Sequence, residues 1–387
     1  MPDYDVIIIG AGSVGLPTAF FLAREKVKVL VIDELPSHGQ GQNKAAIGGV
    51  RATHSDPAKI QTCQLSLDVF ARWQDEYGDD IHFKRGGYCF PIYDEDQEWS
   101  LKSLLVVQKK YGLKIDWLSA DDVARIVPGI NRDGLRGGTY SPEDGNVSPI
   151  LASQAFYRQA LACGATFRFN EKVIGMSREA SAVVVKTDRA GYSAARVINA
   201  AGAKAREIGR LMGLDLPVFP DSHEAGVTEP VKPFFHPMVV DIRGYAGSTN
   251  FYFYQEKEGH IIFCLTPEPI IPGHNRDSSS SFLPLAAKRL IGLFPRLGNA
   301  RVRRIWRGLY PMTPDGVPIV DRLNGGQDGG PEFYVAAGFC GQGLMLGPGI
   351  AQNLVSLIMT GKPVIPEASF RSFSLGRDYT RPSEALR

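Results

Sequence analysis

Two hydrophobic patterns alternate along this chain. Val6-Ile7-Ile8-Ile9 and Val27 to Ile32 are apolar runs with no polar face, so they predict parallel strands buried on both sides. Between them, Val14 to Glu25 places Ala19, Leu22 and Ala23 on one side and predicts a helix. Together these pieces form a β-α-β unit. The runs Val197-Ile198-Asn199 and Tyr334-Val335-Ala336-Ala337-Gly338 repeat the strand pattern far downstream. Residues 165–199 alternate like strands. The strand-like stretches in the gaps, Tyr88 to Tyr93, Met238 to Ile242, Phe251 to Tyr254 and Ile261 to Thr266, look antiparallel.

Caps and stops mark the helices. Asp56 precedes Pro57, and Ile60, Cys63, Leu67 and Phe70 then share a face. Ser148-Pro149 opens a helix that Gly164 ends. Residues 101–127 predict two short helices, and further helices are expected at Phe282 to Leu293 and Gly349 to Met359. Residues 37–55 read as a long Gly- and Gln-rich loop, and the last ten residues as loose.

This interleaving predicts one discontinuous α/β domain of residues 1–85, 146–218 and 303–387. An α+β domain with an antiparallel sheet, residues 86–145 and 219–302, is inserted into it. The length of 387 residues fits two cores better than one. A net charge of +2 gives no reason to invoke nucleic acid. No apolar run approaches the roughly 20 residues of a membrane span, and the acidic start lacks a signal peptide's basic region. Five scattered cysteines without CxxC spacing argue against a metal site or a disulfide framework and suit a cytoplasmic protein.

Candidate chemistry begins at Gly10-Ala11-Gly12-Ser13-Val14-Gly15, a GxGxxG turn between a strand and a helix. Gly10 makes the tight turn, Gly12 admits a pyrophosphate to the backbone, and Gly15 lets helix and strand pack closely. Asp33, ending the next strand, suits ribose hydroxyls. This Rossmann-like motif does not separate NAD from FAD; the downstream segments speak for FAD.

Those segments resemble the D-amino-acid-oxidase-like superfamily, near glycine and sarcosine oxidases and the β subunits of dye-linked proline dehydrogenases. The resemblance rests on the N-terminal unit, Gly39 to Lys44 with Gly48-Gly49-Val50-Arg51, and Gly86-Gly87-Tyr88. It continues through Glu143-Asp144-Gly145, Asn199-Ala200-Ala201-Gly202, Trp306-Arg307-Gly308, Thr313 to Gly316, and Gly338 to Met345. It implies a Rossmann-like FAD-binding domain with an inserted substrate domain. Adenosine would meet Asp33 and the backbone near Val173, and pyrophosphate the Gly12-Ser13-Val14 turn. Gln42-Asn43-Lys44 would run beneath the ribityl chain, with Ala200 and Gly202 close to the cofactor. Gly338 leads into Gly341, Gln342, Gly343, Leu344 and Met345, which would approach the flavin's pyrimidine end.

By the same resemblance Arg51 would clamp a substrate carboxylate and Tyr310 would line the pocket. His223 begins a segment that crosses into the substrate domain in this family and reads as a satisfied structural histidine sooner than a catalytic one, while Tyr252 and Tyr254 could line the pocket or simply pack in the sheet. Met345 replaces a lysine that often helps bind the carboxylate. Gly308 replaces a cysteine that carries flavin in some members, so FAD is expected to be noncovalent there. Lys204 replaces an aromatic residue, and no lysine matches the oxygen-activating one of the oxidases. The expected activity is hydride removal from the carbon beside the nitrogen of a small amino acid or secondary amine. The missing lysine tilts the expectation from an oxidase toward a dehydrogenase that passes electrons to a partner or quinone-like acceptor, and an electron-acceptor partner or second subunit is expected. Oxidation of a 2-hydroxy acid or polyol phosphate, or a non-catalytic flavin-binding subunit, are the alternatives.

Overall fold

A computed structural model describes residues 2–323, 330–380 and 384–386. Two eight-stranded sheets organise the chain. The first runs in the order Ile319–Leu323, Glu332–Ala337, Gly191–Asn199, Tyr4–Ile9, Val29–Ile32, Thr166–Arg168, with Val183–Thr187 and Val173–Arg178 branching from Gly191–Asn199. Tyr4–Ile9 pairs in parallel with Val29–Ile32 and with Gly191–Asn199, which in turn pairs in parallel with Glu332–Ala337. The buried runs seen in the sequence are therefore neighbours. One face of this sheet meets helices Gly15–Arg24, Pro57–Tyr77, Pro149–Ala162 and Gly343–Thr360 around Phe20, Phe70, Trp73 and Leu346.

The second sheet runs Val302–Met312, Phe219–Thr228, Ile261–Pro267, Ser248–Gln255, Met238–Asp241, Tyr88–Ile92, Gly137–Ser141, Asp116–Ser119. One face packs on helix Phe282–Leu293 through Phe251, Phe253, Phe263 and Phe294. The other turns Tyr88, Met238, Val240 and Tyr254 toward the first sheet.

The capping residues behave as their chemistry requires. Asp56 accepts from Lys59 N at 3.0 Å, and Ser148 from Leu151 N at 3.3 Å. Four expectations need correction. Residues 101–127 hold the end of helix Glu95–Lys110, strand Asp116–Ser119 and helix Ala120–Ile126; Asp94 caps the first helix, with Glu95, Asp96 and Glu98 in its first turn. The helix expected from Gly349 begins at Gly343. Its internal glycines are not breakers: a Cβ at Gly347 would strike the Ser13 carbonyl, and one at Gly349 the Thr62 carbonyl. Strand Val302–Met312 lies along Phe219–Thr228 in the second sheet, although the sequence division leaves 303 onward with the nucleotide part. It is an edge strand containing Pro311, which blurs its alternation. Finally, Glu384 and Leu386 are buried, not loose.

Helix Gly343–Thr360 is the one described helix long and apolar enough to cross a membrane; 67% of it is buried inside the protein.

Candidate active site

A cavity of about 960 Å³ runs between the sheets, at the large end of the usual range for ligand sites. At one end the first sheet supplies backbone. Gly10 turns at φ +110°, and a Cβ there would strike the Ala200 carbonyl. Gly12 opens onto the cavity, and a Cβ added there would meet no protein atom within 4 Å. The N-terminal turns of helices Gly15–Arg24 and Gly343–Thr360 meet here, since a Cβ at Gly343 would lie 3.1 Å from Ser13 Oγ. Two positive helix ends thus face one space. Asp33 accepts from Ala11 N at 2.7 Å and Leu35 N at 2.9 Å. Burial pushes its carboxyl up, while those two N–H groups oppose the shift.

Most of the expected cofactor residues line this cavity: Gly10, Gly12, Ser13, Val14, Asp33, Gln42, Asn43, Val173, Ala200, Gly202, Gly341, Gln342, Gly343, Leu344 and Met345. Three are not among its lining residues. Lys44 turns its ammonium to Gln40 Oε1 at 3.2 Å. Gly15 packs under the Gly10 carbonyl, and Gly338, at φ +71°, sits against Thr313. Two buried acceptors on the wall, Asn43 Oδ1 and Gln342 Oε1, have no hydrogen-bond partner. Open glycine backbone, two helix ends and orphaned acceptors fit a flavin dinucleotide. Gly12 to Val14 would hold its pyrophosphate, Asp33 its ribose and Gly341 to Met345 the ring. Gly308 offers no thiol for a covalent link.

At the other end the second sheet supplies side chains. Asp221, His223, Asn250, Tyr252, Thr266 and Tyr310 line the wall with Arg51, Tyr88, Met238 and Val240. Tyr310 stacks on His223 at 3.7 Å, and its hydroxyl lies 2.6 Å from that of Tyr252. Burial pushes both phenols well up, so they stay neutral. Tyr254 is not on the wall; its hydroxyl donates to Ile47 O at 2.6 Å. Lys204 lines the nucleotide end, paired with Glu34 at 2.6 Å.

Arg51 reaches the wall from a buried polar nest. Its Nη2 donates to Leu386 O at 2.6 Å and its Nη1 to Thr53 O. Asp144 holds the same loop by accepting from Ala52 N at 2.7 Å and from Thr53 Oγ1. That contact explains the Glu143-Asp144-Gly145 motif. Behind Arg51, Lys59 Nζ meets Glu384 Oε2 at 2.9 Å, with both side chains 0% exposed. Burial would raise Glu384, but Lys59, His54 and Arg51 hold it well below the ordinary carboxylate range. His54 is pushed down to about 3, first by burial and then by Arg51 and Lys59. Sequence reasoning missed Lys59, Glu384 and Asp221, because nothing local to them signals a partner that the fold brings from far along the chain.

The chain is 27% identical over 384 residues to the sarcosine oxidase subunit beta of Rhizobium meliloti, covering 96% of this chain and 88% of that protein. It is 24% identical to human mitochondrial dimethylglycine dehydrogenase, spanning 93% of this chain but 43% of that one. Among solved structures, L-proline dehydrogenase from P. horikoshii superposes with a TM-score of 0.88 at 28% identity, covering 97% of this chain and 98% of that one. Residues 5–357 match the DAO family, described as FAD dependent oxidoreductase. That span includes both glycine turns and the whole cavity wall between them, and the chain belongs to this family of FAD-dependent enzymes.

Proposed function

We propose that the protein oxidises a small amino acid or secondary amine at the carbon next to nitrogen. The observation that carries this reading is the joining of a flavin cradle and the Arg51 guanidinium on one cavity wall. A guanidinium has five donors in a planar fork, and two of Arg51's are on main-chain carbonyls. Nη1 also lies 3.3 Å from His54 Nδ1, and the donors left on Nε and Nη2 suit a carboxylate. The relatives named for sarcosine, dimethylglycine and L-proline support a small amino acid with a substituted nitrogen. FAD supplies the two-electron acceptor; the chain's residues bind the anion, orient the α-carbon and exclude water.

Met345 stands on the wall with no lysine beside it. Among the described lining residues the lysines are Lys172 and Lys204, both near the adenosine end beside Val173 and Glu34. This supports a dehydrogenase that passes electrons to a partner, and the rhizobial relative's designation as a subunit supports a second chain in the assembly. The test is anaerobic addition of sarcosine, glycine, L-proline and 2-hydroxy acids in turn to the purified holoprotein. Bleaching of the flavin band by an amine supports the reading, and slow reoxidation on admitting air identifies a dehydrogenase. Bleaching by hydroxy acids alone overturns it, and a flavin that none of these reduces favours a non-catalytic subunit.

A further inference from the structure

Asp221 and His223 stand two residues apart on strand Phe219–Thr228, so both point to the same face. That face is the cavity wall. The residues are 5% and 6% exposed. His223 Nε2 lies 3.4 Å from Asp221 Oδ1, and neither atom has a hydrogen-bond partner. The next residue shows how this sheet treats a charge that is merely structural. Glu224, on the opposite face, takes Arg307 Nη2 at 2.8 Å, Ser279 N at 2.7 Å and Ser279 Oγ at 2.6 Å.

The surrounding network assigns the histidine's tautomer. Thr266 Oγ1 donates to Asn250 Oδ1 at 2.6 Å. Toward His223 Nδ1, 3.4 Å away, the Thr266 oxygen is therefore the acceptor and Nδ1 carries the proton. In the neutral ring Nε2 then presents its lone pair to a carboxylate oxygen. Two acceptors facing each other in a buried place form a site for a proton they lack. The ring cannot turn away easily, because it is stacked on Tyr310 with planes 20° apart.

We propose that Asp221 and His223 together accept the proton that the substrate's ammonium must lose. This rests on the amine reading above. An ammonium nitrogen has no lone pair to stabilise the cation that hydride loss creates. In the proposed step one N–H bond breaks, its electron pair stays on nitrogen, and the proton bonds to His223 Nε2. The resulting imidazolium donates to Asp221 Oδ1. Bound FAD would supply the two-electron acceptor for the α C–H hydride, and the lone pair freed on nitrogen would stabilise the substrate as an iminium.

The groups around the pair are named because they share its field. Tyr310 comes from strand Val302–Met312, Cys264 and Thr266 from Ile261–Pro267, and Tyr252 from Ser248–Gln255. Glu268, His274 and Arg276 line the same cavity from the following loop, which is bonded to the strand through Ser222 N and Ile271 O at 3.0 Å.

The test compares holoenzyme with His223→Asn, which keeps a donor for Thr266 but removes Nε2, and with Asp221→Asn. Anaerobic flavin reduction by the amine that bleaches the wild type is timed across pH. The variants should keep their FAD and reduce about 10²-fold more slowly at neutral pH. The gap should close as pH rises past the free amine's own pKa, where no proton need be removed. A gap equal at every pH, or no gap, overturns the proposal and leaves the amine reading standing. Wild-type flavin that no amine bleaches overturns both. Nitrogen NMR of the wild type gives a readout apart from turnover. The His223 signal should show a bare Nε2 that gains a proton when 2-aminoisobutyrate binds, since that probe has an ammonium but no α-hydrogen. An Nε2 protonated before the probe is added overturns the proposal even if neither variant folds.

Discussion

The two ends of the cavity recognise their ligands by opposite means. The nucleotide end uses missing side chains: Gly10, Gly12, Gly202 and Gly341 bring bare backbone to the wall, and two helix ends supply N–H groups. The substrate end uses side chains gathered from six strands and a loop, and several of them are buried polar groups. Backbone recognition depends on a short stretch of chain. Side-chain recognition depends on strand register, and a slip of one residue would turn Asp221, His223 and Tyr310 away.

Substitutions at the two ends sharpen this contrast, from the largest effect to the smallest. Gly12→Val should abolish FAD retention while the apoprotein keeps its melting temperature, because the new side chain meets no protein atom and only a ligand would feel it. A yellow, fully loaded variant would move the pyrophosphate elsewhere. Glu384→Ala should leave Lys59 as an uncompensated buried charge and cost roughly 3–5 kcal/mol in denaturant unfolding. A loss under about 1 kcal/mol would show that the nest is solvated.

The same nest sets the acid limit. Both His54 and Glu384 have pKa values lowered by folding. Their contribution is fully present above the unfolded values, about 6.5 and 4.3. It falls as pH drops below 6.5 toward about 3 for His54, and below about 4.3 for Glu384. His54→Asn should flatten the upper part of that decline in melts taken between those limits.

Arg51→Ala should raise the Michaelis constant of a carboxylate substrate by about 2–5 kcal/mol equivalent and leave FAD content unchanged. An unaltered constant would remove Arg51 from the substrate end. Tyr310→Phe should cost about 1–3 kcal/mol of stability by leaving the Tyr252 hydroxyl without its partner, and adding Tyr252→Phe should recover part of that loss. Additive losses would show that the two phenols do not act as a pair.

Much of the first sheet was legible because parallel strands buried on both faces need unbroken apolar runs, and glycine turns need their glycines. Edge strand Val302–Met312 was not, since Arg303, Arg304 and Pro311 break its alternation and only pairing with Phe219–Thr228 defines it. The helix expected from Gly349 begins at Gly343, and close contact with the Ser13 and Thr62 backbones accounts for the glycines at 347 and 349 within it. Arg51 and Tyr310 were singled out by position, but the buried nest of Lys59 and Glu384 behind Arg51 was not. Leu386 O holds Arg51 from 335 residues away. His223 reads more easily from sequence as a satisfied structural residue, yet its Nε2 is unpartnered.

By itself, then, the sequence determined the dinucleotide turn, its flanking strand and helix, and the acid at Asp33, because each works through its immediate neighbours in the chain. The tertiary structure alone decided which charges are paired. Lys59 with Glu384, Arg307 with Glu224 and the facing acceptors of Asp221 and His223 share a buried setting but differ in what the fold places beside them. In a low-dielectric interior the neighbour a few ångströms away, not the residue's type, fixes what a charge does.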